Sequence, residues 1–107
     1  MYLQGELGYD VYEGCNIDYR GKTVTPAHFA QVLTGDKKGK LAAECKETPK
    51  LCNGKVLKSG PADHVFVNFV DHGASGVIGF PEDSPGTAQM TASYLQRTIK
   101  AMHTSNM

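Results

Sequence analysis

Asp71-His72-Gly73 is the tripeptide in this chain best suited to chemistry. An imidazole exchanges protons near neutral pH, and a glycine behind it lets a substrate approach the main chain unobstructed, leaving an N–H to donate to a developing oxyanion. As an isolated tripeptide, the same residues equally make a turn or a cap. A second pair, Asp63-His64, invites a metal site shared with Asp71-His72. Eight residues of extended chain separate the two histidines, or ~26 Å at ~3.3 Å per residue, so they share no ion and no metal or other cofactor is expected. His28 and His103 read as surface or helix-end histidines. Ser75 lies in a Gly-rich turn without the G-x-S-x-G elbow of a serine hydrolase, and no Gly-rich phosphate loop is present.

The elements around His72 follow from local pattern. Val65-Phe66-Val67-Asn68-Phe69-Val70 is β-branched and aromatic on both alternating faces, the signature of a strand buried in mid-sheet, here over about 64–71. His72 would then stand at its carboxyl end, where open α/β sheets bind ligands. Val77 to Phe80 reads as a second short strand, and 82–89 as loop. Thr25-Pro26 opens a helix with Phe29, Val32 and Leu33 on one face, which Gly35 ends. Thr91 caps another, with Leu95, Ile99 and Met102 on one face. Residues 10–24 read as loop and turn, and 36–62 as a basic loop with a turn or two of helix from Lys40 to Lys46. The order is α/β.

The chain's 107 residues allow one small domain, and 11 basic against 11 acidic side chains give no net charge and no sign of a nucleic-acid or membrane partner. Seven of the nine lysines fall between Lys37 and Lys58, a solvated basic stretch rather than an anion site. No run is long enough to span a bilayer, and Met1 to Asp10 lacks the order of a signal peptide. The three cysteines do not make a disulfide framework. Cys45 and Cys52 could close a small loop in an oxidising compartment, leaving Cys15 over; three free thiols fit the sequence equally well.

Asp10 to Phe29 (DVYEGCNIDYRGKTVTPAHF), Gly54 to Pro81 (GKVLKSGPADHVFVNFVDHGASGVIGFP) and the capped helix that follows resemble, in order and wording, the legumain family of cysteine peptidases, the asparaginyl endopeptidases or haemoglobinases. The resemblance implies a caspase-like α/β/α sandwich, incomplete here, and an endopeptidase acting on peptides or proteins after asparagine in a lysosomal, vacuolar or secreted setting. It implies His72 as the catalytic histidine, Gly73 as an oxyanion donor and Asp71 at a position tied to succinimide formation and ligation.

The family's nucleophile belongs to a Glu-Ala-Cys-Glu-Ser-Gly string that this sequence lacks, and Cys15, Cys45 and Cys52 do not match it. The chain therefore reads as part of a peptidase domain, inactive alone and completed by the remainder of that domain. The segment around Cys45 and Cys52 reads as a basic insertion. Where some relatives carry Arg-Gly-Asp, this chain has Thr34-Gly35-Asp36, so no integrin-type binding is inferred. The rival expectation is a truncated pseudo-protease acting as a binding or regulatory module.

Overall fold

The computed structural model describes residues 8–81 and 88–107. Its elements, in order, are a 3-10 turn over Gly21–Thr23, helices α1 (Pro26–Thr34) and α2 (Lys40–Glu47), strands β1 (Gly73–Ala74), β2 (Val77–Gly79) and β3 (Gln89–Thr91), and helix α3 (Ala92–Thr104). The strands form one antiparallel sheet in the order β1-β2-β3, with Ile78 opposite both Gly73 and Met90. Of the loop expected over 82–89, residues 82–87 lie outside the described residues, whereas Gln89 already belongs to β3.

Both expected caps are present. Thr25 Oγ1 accepts the His28 N–H at 3.0 Å, Pro26 occupies the first turn, and Gly35 closes α1 at φ 85°. Thr91 Oγ1 accepts the Tyr94 N–H at 3.2 Å to open α3. Leu95, Ile99 and Met102 share one face of α3, lining the same groove, although Ile99 is 54% exposed and the buried residues of the helix are Thr98 and Met102. A threonine tolerates that place because its hydroxyl donates to the Tyr94 carbonyl at 3.0 Å, so no polar group is buried unpaired.

The helix suspected over Lys40–Lys46 is α2, and it is capped from a distance. Asp36 Oδ1 accepts the Leu41 N–H and Oδ2 the Ala42 N–H, each at 3.1 Å, so both carboxylate oxygens satisfy first-turn amides of a helix whose own N-cap, Gly39, has no side chain. At its other end Cys45 is bridged to Cys52, with their Cα atoms 5.3 Å apart. The two half-cystines and Leu41 form a buried cluster against which Tyr19, Val32 and Val56 pack. Cys15 is a free, exposed thiol.

The turn closed by this bridge is stitched to the segment before α1. Tyr19 and Cys52 form an antiparallel bridge, flanked by the Arg20 N–H donating to Leu51 O at 2.7 Å and the Asn53 N–H to Asp18 O at 3.1 Å. Tyr19 also donates its hydroxyl to Lys55 O at 2.7 Å. Burial first, then the neighbouring Asp18 and Asp36 carboxylates, push the Tyr19 phenol above its ordinary range and keep it a neutral donor. Gly54 sits at φ 76°, and a Cβ there would stand 3.0 Å from Ala42 Cα, so both its conformation and its packing on α2 exclude a side chain.

One expectation is overturned. The segment 64–71 is not a buried strand: from His64 to Val70 no backbone group is hydrogen-bonded among the described residues, and Phe66 and Val70 are 91% and 85% exposed. Val65, Val67 and Phe69 line an apolar groove of about 440 Å³ against α1 and α3, and Val65 to Asn68 line a second groove beside Lys55 and Val56. A residue pattern that buries both faces needs covering layers and neighbouring strands, and the only sheet among the described residues is the β1-β2-β3 hairpin system. The chain correspondingly exposes 8252 Å², against about 5,800 Å² for a compact monomer of its mass.

Reducing the Cys45–Cys52 bridge, or Cys52→Ser, is expected to destabilise the chain by about 2 kcal/mol in urea titration, the chain-entropy value for so short a loop. Thr25→Ala should cost about 1 kcal/mol, read in the same titration.

Candidate active site

The hairpin that carries Asp71, His72 and Gly73 is built by β1 and β2 around Ser75 and Gly76. Gly76 lies at φ 78°, the left-handed conformation that a two-residue connection requires and a β-carbon resists. The Gly79 N–H donates to His72 O at 2.7 Å. In an antiparallel ladder, bonded and non-bonded residue pairs alternate. His72 and Gly79 form a bonded position, so the Gly73–Ile78 pair is non-bonded, and the Gly73 N–H points away from β2 toward the open edge of the sheet.

His72 is exposed, and among the described residues its ring has no hydrogen-bond partner. Its main-chain N–H donates to Asp71 Oδ1 at 2.6 Å, so the Asp71 carboxylate folds onto the next peptide bond instead of orienting the imidazole. An exposed imidazole thus stands beside an outward N–H on consecutive residues, the elements of proton transfer and oxyanion stabilisation. With 64–71 unpaired, His72 does not close a sheet strand; it enters the β1-β2 hairpin.

Three aromatic rings gather at the ends of this hairpin. Phe69 and Phe80 bracket it in sequence, their centroids 5.3 Å apart, and Phe29 of α1 makes edge contacts with both at 5.8 and 5.9 Å. Phe80 is buried. Phe29 was legible as an inward helix residue, but its contact with the hairpin was not. Gly79 was missed as well: an added Cβ would stand 3.0 Å from His72 O, so any side chain there displaces the histidine backbone by a few tenths of an ångström.

The remaining candidates separate. His103 is exposed in the last turn of α3. His28 is the helix-end histidine expected, in the first turn of α1, but it is partnered: its Nδ1 lies 2.8 Å from Thr23 O and its Nε2 2.8 Å from Glu44 Oε2. Nothing in the spacing of two residues 16 apart signals that contact. Cys45 and Cys52 are consumed by their bridge, and Cys15 Sγ contacts Val11 O at 3.7 Å within its own turn. Asp36, in the loop where relatives were expected to carry Arg-Gly-Asp, has both carboxylate oxygens engaged by α2.

Comparison with known proteins identifies the family. The sequence model of the peptidase C13 family matches residues 3–107. The chain is 44% identical to the legumain of Mus musculus over 94% of its own length and 20% of that protein's. It is 49% identical to the hemoglobinase of Schistosoma japonicum over 69% of its length and 14% of that protein's, and 40% identical to the vacuolar-processing enzyme beta-isozyme of Arabidopsis thaliana over 92% and 18%. The chain thus spans about a fifth or less of the curated relatives it matches. With the family model matching residues 3–107, nearly all of its length, this chain belongs to the peptidase C13 family.

Proposed function

We propose that this chain is the histidine-bearing part of a cysteine endopeptidase that cleaves after asparagine, with His72 delivering a proton to the leaving amine and the Gly73 N–H stabilising the tetrahedral oxyanion. The observation that carries the reading is the hairpin register, which leaves the Gly73 N–H on the open edge beside the exposed His72 imidazole. Family membership supplies the reaction class. The attacking thiol comes from outside this chain, since Cys45 and Cys52 are bridged and Cys15, though a free thiol, does not match the family's nucleophile string. The complete domain has the caspase-like α/β/α form, and its other strands pair with Val65–Val70. Asp71 is the position of succinimide chemistry, and the Asp71 Oδ1 contact with the His72 N–H brings together the two groups such a ring would join. The setting of the whole protein in this reading is lysosomal, vacuolar or secreted, and a relative named vacuolar-processing enzyme supports it.

A second reading rests on the exposed Phe66 and Val70. A non-catalytic module would use that unpaired segment to add a strand to a partner. Size-exclusion of the purified chain separates the two: a defined complex supports the module, and aggregate supports a part lacking its neighbours.

In the enzyme that contains this chain, His72→Ala is expected to lower kcat on an asparagine-containing peptide by about 10²- to 10⁴-fold with KM little changed. Gly73→Pro, which removes the N–H, should lower kcat by about 10²- to 10³-fold. The 107-residue chain alone is expected to show no turnover; turnover by it that His72→Ala abolishes would overturn the assignment of the thiol.

A further inference from the structure

We propose that Asn53 is a site of self-modification: the Gly54 nitrogen attacks its side-chain amide, and the aspartate or isoaspartate left behind unfastens the turn closed by the Cys45–Cys52 bridge from the segment before α1.

Asn53 is the one asparagine of this sequence followed by glycine. With no β-carbon on the next residue, the peptide nitrogen reaches the side-chain carbonyl carbon unobstructed. The amide is also held for that approach. The Lys55 N–H donates to Asn53 Oδ1 at 2.9 Å, and Asn53 Nδ2 donates to Asp18 Oδ1 at 2.7 Å. Because a main-chain N–H only donates and an ionised carboxylate only accepts, these partners leave the amide a single orientation. The Lys55 contact closes a turn that contains the Gly54 nitrogen, which keeps the carbonyl carbon folded back toward it. The same N–H stands where negative charge gathers on Oδ1 as the carbon becomes tetrahedral. The Gly54 N–H has no hydrogen-bond partner among the described residues, and Asn53 is exposed, so neither the departing proton nor the incoming water is shut out.

The step balances within the chain and solvent. A bond forms from Gly54 N to Asn53 Cγ, the Cγ–Nδ2 bond breaks, and the Gly54 hydrogen leaves with Nδ2 as ammonia. Water then opens the succinimide at either carbonyl. Both products lose the Nδ2 donor. Aspartate sets a second carboxylate against Asp18, like charges where a hydrogen bond stood. Isoaspartate lengthens the backbone beside the Tyr19–Cys52 pairing, where the Arg20 N–H meets Leu51 O and the Asn53 N–H meets Asp18 O. Replacing the glycine does not relieve the fold of this pair, because φ 76° and an Ala42 Cα at 3.0 Å exclude a side chain at 54. The inference does not depend on the peptidase reading.

Ageing the full chain at mildly alkaline pH, then digesting it for mass spectrometry, tests the proposal. Asn53 is expected to gain about 1 Da, as a mixture of aspartate and isoaspartate, about tenfold faster than Asn16, Asn68 or Asn106. Equal gain at all the asparagines would overturn it, as would an Asn53 that keeps its amide in the folded chain and loses it only in urea. Asn53→Asp, which makes one product directly, should lower amide-exchange protection at Arg20 by about two- to fivefold. Unchanged protection there refutes the unfastening. Should that variant fail to fold, the aged, unmodified chain supplies the same readout.

Discussion

Three phenylalanine rings make the contact on which this structure turns. Phe29 stands on α1, Phe69 on the unpaired segment and Phe80 at the exit of β2, and each touches the other two. Edge-on aromatic pairs are worth about 0.5–1.5 kcal/mol beyond the area they bury. In a chain whose sheet is one small hairpin system, that contact ties α1 to both flanks of Asp71-His72-Gly73. Remove it and the histidine keeps its hairpin but loses its fixed place relative to the helices.

The second organising unit is the α2 module. One carboxylate from Asp36 starts the helix, one disulfide finishes it, and the Tyr19–Cys52 bridge lays the closing turn alongside the segment that leads into α1. These are short-range constraints, so the module is well defined although α2 has only eight residues, fewer than an isolated helix needs in water. It reaches α1 through His28 and Glu44, whose Nε2 and Oε2 lie 2.8 Å apart.

What the sequence disclosed depended on range. Thr25, Pro26, Gly35 and Thr91 declared their helices because capping is settled within four residues, and Gly76 marked a turn for the same reason. The alternation of Val65 to Val70 was legible, and the odd-numbered side chains do share a side; its burial was not, because covering layers come from elsewhere. The pairing of Cys45 with Cys52 was left open, since spacing permits a bridge without requiring one. His28 with Glu44, and Phe29 with Phe80, are meetings decided by how helices pack. The candidate site was legible as Asp71-His72-Gly73, but its register, and with it the direction of the Gly73 N–H, came only with the hairpin.

Both sulfurs of the bridge belong to residues only 3% exposed. Thiol–disulfide exchange needs an incoming thiolate to reach a sulfur in line, so glutathione-like attack waits for α2 to fray or its turn to lift. The lifetime of the bridge in a thiol-rich compartment is then set by the frequency of that local opening more than by the strength of the reductant. Whatever loosens α2 shortens that lifetime, and whatever tightens it makes the clip inert.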